Sequence, residues 1–483
     1  MGYIWSSNIN SMERFIIGAG YMRNKRISTD FFSFLLYFID IIIVNLSIYV
    51  SFIIKFGFNP PEFNFKPFLD MIPFISISYL IFMYVFGLND ILQNTAYEMV
   101  YSISLTVISL LITTSFISFF LRNFSYPRSV LLISTIVQLV FLSCWRIIAW
   151  KINRIKHGIK SCLIVGDSYI EDLSKKILSR HKDIYNIKFI CSSKSSNLFY
   201  FVDNVDIIFI CSDVNALTKN KIIERTISLN KKIYIIPDMY DIALLNSKLS
   251  RVDDIPLLKV PRIGLTIEER FFKRILDIVA SILGIIIFSP IMIIMAIAIK
   301  VTDKGNIFYK QERLTIGNKV FNVLKFRTMV MNAENLTGPV LAGEEDPRIT
   351  KVGKFMRATR IDEIPQFFNI LLGDMSIVGP RPERPYFVEK YNKVIEEYKF
   401  RTLVKAGLTG LAQVLGKYNT EARDKLRYDL LYIKNYSILL DFKIILQTIK
   451  IMFIKESSEG VKRDVPLDDI LKKYNKKITI DRD

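Results

Sequence analysis

The chain has 483 residues, too many for one compact core, and 51% of them are hydrophobic, a share that points to a membrane protein. Its net charge of +19 lies beside apolar stretches, and no RRM, zinc-finger or helix-turn-helix signature appears. The expected partners are therefore membrane lipid headgroups and phosphate-bearing substrates, with no nucleic acid.

Four apolar segments open the chain, at roughly 31–54, 68–88, 99–121 and 129–149, each about 20 residues and long enough to cross a hydrocarbon core. The first is too long and too late for a signal peptide, and no cleavage-site pattern follows it. Arg14, Arg23, Lys25 and Arg26 precede the set, and Lys151, Arg154, Lys156 and Lys160 follow it. Positive charge at both flanks predicts that both face the cytoplasm, which four crossings permit. The loop at 88–98 has no Lys or Arg and adds nothing to that argument. Asp40, inside the first span, is a candidate polar contact or a simple helix-to-helix pair.

Between 160 and 260 the pattern changes. SCLIVGDS, IKFICSS, VDIIFICSD and KKIYIIPD are short β-branched runs separated by helix-like stretches at 169–181 and 215–230. That alternation predicts a small parallel sheet with Rossmann-like winding. A dinucleotide turn needs several glycines after the first strand, but only Gly166 is present, and Asp167 beside it would repel a phosphate. The reading is a fold without its cofactor.

A fifth apolar segment, 275–299, is interrupted by Ser289-Pro290. Arg270, Lys273 and Arg274 precede it, while Lys300, Lys304, Lys310 and Arg313 follow, so positive charge flanks both ends. This favours a re-entrant helix that turns at Ser289-Pro290 and leaves on the face it entered; a kinked true span is the alternative. Farther on, 424–455 mixes cations with apolar residues and suits either a helix in the headgroup layer or a buried one.

The four cysteines (Cys144, Cys162, Cys191, Cys211) have no CxxC spacing, and neither Cys nor His occurs beyond Cys211. Chemistry in the C-terminal half must then rely on carboxylates, Lys, Arg, Tyr and backbone. The stretch RATRIDEIPQFFNILLGDMSIVGPRPE, 357–383, supplies a candidate. Its adjacent Asp362 and Glu363, hemmed by Arg357, Arg360 and Arg381, can offer one oxygen as nucleophile and another as a hard ligand for Mg²⁺. The arginines suit bound phosphate, although an Asp-Glu pair near arginines also occurs on solvated helix faces.

In order, the C-terminal blocks KRILDIVAS, YKQERLTIGNKVF, KFRTM, DPRITKVGKFMRATRIDEIPQ, NILLGDMSIVGPRPE and KAGLTGLAQV run without a gap from about Lys273 to Phe453. This region resembles the bacterial sugar transferase family, the monotopic phosphoglycosyl transferases. With the N-terminal spans and the α/β unit, the chain looks like the large exopolysaccharide-type polyprenyl glycosylphosphotransferases. The resemblance implies transfer of a sugar-1-phosphate from a UDP-sugar to undecaprenyl phosphate with release of UMP, initiating surface polysaccharide or glycoconjugate synthesis at the cytoplasmic face of the bacterial inner membrane. It implies Asp362 as nucleophile, forming a phosphosugar-aspartate, and Glu363 as the Mg²⁺-associated partner. Lys325 and Arg357 match basic residues that hold phosphates, Arg381 a contact to the nucleotide diphosphate, and Asp429 a further active-site carboxylate. Ser289-Pro290 matches the re-entrant break.

The expected fold is a multi-domain membrane protein. An α-helical four-helix transmembrane region occupies 1–150, and a degenerate Rossmann-like α/β domain 151–262. A mostly α-helical (α+β) catalytic domain follows at 263–483, with its re-entrant helix at 275–299. A homodimer is a further expectation, through the α/β domain. Two competing readings are a nucleotide-sugar dehydratase or epimerase, for which Tyr386 and Lys390 have the right spacing, and a non-enzymatic scaffold or regulator of polysaccharide assembly.

Overall fold

The computed structural model describes residues 34–89, 96–121, 125–303, 305–330, 346–417, 420–452 and 478–481. The basic flank Arg14, Arg23, Lys25 and Arg26, most of the loop at 88–98, and Lys304 lie outside the described residues. The chain divides into two compact units, Met1–Ile159 and Lys160–Asp483.

The first unit contains four helices: α1 (Phe34–Phe56), α2 (Glu62–Val85), α3 (Ala96–Phe120) and α4 (Arg128–His157). All four are long and apolar enough to cross a membrane. The helices α2, α3 and α4 are longer than their apolar segments because helical backbone continues into polar ends, as α4 does past Lys151 and Arg154. Val44, Ile48, Met71, Ile75, Ile103, Val107 and Val130 fill their common core. Asp40 of α1 accepts a hydrogen bond from Arg146 Nε of α4 at 3.1 Å, and Arg146 Nη1 donates to the Leu88 carbonyl at 2.7 Å. Asp40 is thus a helix-to-helix pair, with its charge neutralised where water is excluded.

The second unit begins with alternating strands and helices: β1 (Lys160–Val165), α5 (Ile170–Arg180), β2 (Tyr185–Cys191), α6 (Leu198–Asp203), β3 (Ile207–Ile210), α7 (Ala216–Ser228), β4 (Lys232–Ile235) and α8 (Met239–Leu244). The sheet is parallel, and β1 pairs with both β2 and β3. Successive side chains of a strand face opposite ways. Accordingly Leu163 and Val165 pack with Leu198, Val202 and Ile222 on one face, while Cys162 and Ile164 pack with Ile170, Ile177 and Leu178 on the other. An exposed antiparallel hairpin, β5 (Lys248–Val252) and β6 (Ile255–Lys259), leads out of this sheet.

Next comes α9 (Ile267–Asp303), a fifth helix of membrane-crossing length and composition. It stays helical through Pro290, and Ser289 Oγ donates to the Ile286 carbonyl at 2.8 Å. Ile286, Ile287, Ile293, Ile294 and Ile297 are exposed along it.

Beyond α9 lie the antiparallel pair β7 (Phe308–Leu314) and β8 (Val320–Phe326), then α10 (Lys351–Ala358), a 3₁₀ turn (Ile361–Glu363) and α11 (Gln366–Leu372). The short parallel pair β9 (Ser376–Val378) and β10 (Gly407–Thr409) brackets α12 (Pro385–Asn392) and a 3₁₀ segment (Glu396–Leu403). The helices α13 (Leu411–Leu415), α14 (Ala422–Lys434) and α15 (Ile438–Met452) follow.

The amphipathic stretch near 424–455 resolves into two different helices. α14 buries Leu426, Leu430 and Ile433 in the core, whereas α15 exposes Leu439, Phe442, Ile449 and Met452. The last described strand, β11 (Thr479–Asp481), returns to pair with β2, giving the sheet order β11-β2-β1-β3-β4. A boundary at 262/263 therefore leaves out one strand of the α/β sheet. Three residues after a polar stretch carry too little alternation to be read as a strand.

Candidate active site

Three segments converge on one pocket. β8 carries Lys325, the 3₁₀ turn carries Asp362 and Glu363, and the turn after β9 carries Arg381. Asn369 of α11 clasps β8: its Oδ1 accepts from Leu324 N and its Nδ2 donates to the Asn322 carbonyl, both at 2.8 Å. That double bond fixes the strand beside the helix that follows the acidic pair. Thr350 caps α10, accepting from Gly353 N at 2.9 Å. A Cβ at Gly353 would fall 2.0 Å from the Thr328 carbonyl oxygen, so only glycine lets α10 approach the end of β8 this closely. Arg360 then takes a left-handed conformation (φ 57°), uncommon for a residue with a side chain, and reverses the chain into the acidic turn.

The two blocks GPRP and KAGLTG meet through their glycines. A Cβ at Gly407 would lie 2.1 Å from Gly379 N, which explains why backbone alone occupies this contact. The resulting wall places Arg381 beside Glu363. The pocket is lined by Arg313, Lys325, Glu363, Gln366, Arg381 and Gly407, among others.

Glu363 Oε1 accepts from Lys325 Nζ at 2.8 Å and from Arg381 Nη2 at 3.3 Å, while Arg360 stands 3.9 Å from Oε2. Burial opposes its ionisation, but Lys325, Arg381 and Arg360 together outweigh that and hold its carboxyl well below the usual range. Asp362 is buried, and among the described residues none donates a hydrogen bond to its carboxylate. Burial first, and the Glu363 charge second, push its carboxyl upward; Lys325, Arg357 and Arg360 pull it back. The two neighbours are thus divided in role: one carboxylate is tied to cations, the other keeps its lone pairs free. The free Asp362 oxygens and the loosely held Glu363 Oε2 fit the needs of Mg²⁺, which takes one or two protein carboxylates and fills its remaining positions with water and phosphate oxygens.

Arg357 Nε donates to Thr328 Oγ1 at 2.9 Å. Asp429 lies elsewhere: it is fully buried on α14 and accepts from Arg401 Nε at 2.6 Å. Arg401 also donates to Tyr398 OH at 2.6 Å and to the Arg381 carbonyl at 3.1 Å. Asp429 therefore reaches the pocket through Arg401 and Arg381. Sequence reading missed Arg401, Asn369 and Arg313, because nothing local distinguishes them from other polar residues.

In the α/β sheet, the turn after β1 already holds an anion. Asp213 Oδ2 accepts from Asp167 N at 3.1 Å, Ser168 Oγ at 2.8 Å, Tyr169 N at 3.3 Å, and Ser168 N. Burial raises the Asp213 carboxyl, but these donors outweigh it and hold the group low.

Residues 268–455 match the model of the family described as bacterial sugar transferase. Over 197 residues, the chain is 39% identical to a UDP-glucose:undecaprenyl-phosphate glucose-1-phosphate transferase of Caulobacter vibrioides, covering 39% of this chain and 71% of that protein. The chain belongs to the bacterial sugar transferase family.

Two other relatives extend the likeness of this family member. One is a UDP-glucose:undecaprenyl-phosphate glucose-1-phosphate transferase of Klebsiella pneumoniae, 40% identical over 245 residues, which are 50% of this chain and 52% of that protein. The other is a UDP-N-acetylgalactosamine-undecaprenyl-phosphate N-acetylgalactosaminephosphotransferase of Aeromonas hydrophila, 44% identical over 183 residues, 37% of this chain and 43% of that protein. The chain spans about half the length of these two curated relatives. The family match, 268–455, contains the acidic turn and all of α9 but its first residue.

Proposed function

We propose that the protein transfers a sugar-1-phosphate from a UDP-sugar to undecaprenyl phosphate, releasing UMP, by way of a phosphosugar-aspartate at Asp362. The observation that carries this reading is the division of the acidic pair: Glu363 is held by Lys325 and Arg381, and Asp362 is left without a donor. The names of the relatives supply the substrate classes.

In the first step an Asp362 carboxylate oxygen attacks the phosphorus next to the sugar. The bond to the bridging oxygen breaks, and UMP leaves with that oxygen. In the second, a phosphate oxygen of the lipid attacks the same phosphorus and frees the Asp362 carboxylate, giving a diphosphate-linked lipid. Lys325 and Arg381, which line the pocket, and Arg357 nearby provide positive charge for the phosphate oxygens. Mg²⁺, held by Glu363, would add neutralisation of the diphosphate. A carboxylate nucleophile also suits a region without Cys or His.

We read α9 as re-entrant, with the catalytic domain on the cytoplasmic face of the bacterial inner membrane. Arg274, near its start, donates to the Ile370 and Leu371 carbonyls, each at 2.7 Å. Phe288, in the middle, stacks on Phe367 with centroids 6.0 Å apart. Ile299, near its end, packs in a cluster with Phe326, Met356 and Ile361. A straight helix of 37 residues would run about 55 Å, yet both halves meet the same short stretch, 361–371. A span would carry its end to the opposite face of the bilayer, away from that stretch. The exposed apolar face of α15 suits the headgroup layer. We read 160–262 with β11 as a Rossmann-like fold without cofactor, serving regulation or homodimer formation, and 263–452 as the catalytic domain.

With Mg²⁺ and polyprenyl phosphate present, the purified full chain should turn over repeatedly and release UMP from one member of a panel containing UDP-glucose, UDP-galactose and UDP-N-acetylgalactosamine; without the lipid, release should stop at about one UMP per chain. UMP release from none of a full UDP-sugar panel would overturn the reading.

A further inference from the structure

We propose that Arg427 seats α14 in the strand-end crevice of the α/β sheet, and that this seating positions Arg381 through Asp429 and Arg401. The positioning half rests on the transferase reading; the seating does not. Open α/β sheets take their ligands outside the carboxyl ends of the strands, where neighbouring strands lead to helices on opposite faces. Here that point lies between β1 and β3, because α5 covers one face and α7 the other. Two observations assign the crevice to this chain itself. Asp213 fills the anion-binding turn with its own carboxylate. Arg427 of α14 enters beside it, donating from Nη2 to Ser212 Oγ at 2.6 Å and from Nε to the Pro237 carbonyl at 3.0 Å. Its guanidinium also lies 4.9 Å from the centre of the Tyr169 ring. These three partners sit at the ends of β3 and β4 and the start of α5. Asp424 of α14 binds Arg427 Nη1 and also reaches Lys176 of α5 at 3.4 Å, which adds a second tie across the same seam.

Residues two apart on an α-helix project about 200° apart. Arg427 and Asp429 therefore point from opposite sides of α14, one into the crevice and the other to Arg401. From Arg401 Nη2 the path reaches the Arg381 carbonyl at 3.1 Å, and from Arg381 Nη2 it reaches Glu363 at 3.3 Å. A shift of α14 out of the crevice would move Asp429, release Arg401, and loosen the turn that aims Arg381. Arg427 is a positioning residue in this account, acting on the pocket without touching it.

Amide hydrogen exchange on the full chain in detergent tests the seating without any substrate. Arg427→Ala should speed exchange at the Cys211 and Val214 amides and also at the Leu314 and Gly407 amides, which donate to the Glu383 and Pro380 carbonyls on either side of Arg381, with Arg427→Lys intermediate because it keeps charge but loses the fork. Faster exchange in the α/β unit alone, or nowhere, would overturn the proposal. In the transfer assay, Arg427→Ala should raise KM for the UDP-sugar roughly two- to thirtyfold, the range seen along coupled networks, and leave KM for the lipid acceptor unchanged. Equal effects on both, or on neither, would refute the positioning role. Ser212→Ala, which removes one hydrogen bond, makes the same comparisons with smaller shifts should Arg427→Ala fail to fold. A wild-type chain inactive on every UDP-sugar would count against the transferase reading and the positioning role together, while the exchange result would still decide the seating.

Discussion

Asp429→Asn separates a buried structural pair from a group that touches substrate. The wild-type carboxylate is fully buried and meets Arg401 Nε at 2.6 Å. Burial pushes the Asp429 carboxyl up, and the Arg401 charge opposes that. An amide keeps the shape but removes the counter-charge, leaving the guanidinium bonded to neutral acceptors alone: the new amide oxygen, the Tyr398 hydroxyl and the Arg381 carbonyl. Breaking one side of a buried pair costs about 3–5 kcal/mol. For a unit of this size, about 2–4 °C of melting temperature per kcal/mol gives a drop of roughly 6–20 °C. Replacing both partners, as Asp429→Leu with Arg401→Met, removes the stranded charge and should bring the melting point back to within about 1 kcal/mol of wild type. Transfer activity should stay low in that double variant, because the Arg381 carbonyl has lost its donor. Thermal unfolding of the full chain in detergent, beside a UMP-release assay, reads both. Asp429→Asn melting within a degree or two of wild type while losing activity would refute the pairing argument and restore Asp429 to direct substrate contact.

Asp362→Asn should abolish transfer with no loss of stability, whereas Glu363→Gln should lower the rate and weaken its dependence on Mg²⁺; a titration of rate against Mg²⁺ checks both. The α/β unit should fail to bind NAD at micromolar concentration, because Asp213 occupies the turn a pyrophosphate needs; calorimetry returning micromolar affinity would contradict this. Single cysteines at Lys259 and Asn306, on either side of α9, should both be shielded from an impermeant thiol reagent applied to intact cells. Labelling at Asn306 alone would show a true span.

Much of this architecture was legible locally. Long apolar runs specify the helices of the first unit, and β-branched runs alternating with helical stretches specify the parallel sheet, since each carries its own period. The pocket's charged members, Lys325, Asp362, Glu363 and Arg381, stand in dense motifs, so their types could be picked out before their positions were known. Asp40 attracted notice as a charge in an apolar run, but its partner Arg146 lies on another helix and no local pattern links them. Asp213 and Arg427 resisted reading for the same reason: each acquires a role only when distant segments close on the end of β1. Pro290 was read as a helix break, yet α9 keeps helical backbone through it. Ser289 Oγ bonds within its own turn, to the Ile286 carbonyl, and the helical pattern continues past it.

The covalent intermediate is the central claim, and intact-protein mass spectrometry tests it most directly. Incubating the full chain with its UDP-sugar and no lipid acceptor should add the mass of one sugar phosphate, located by fragmentation to the peptide containing Asp362. The adduct should disappear when polyprenyl phosphate is added. A chain that turns over with lipid but never carries the adduct under single-turnover conditions would contradict the account and favour direct transfer between the two substrates.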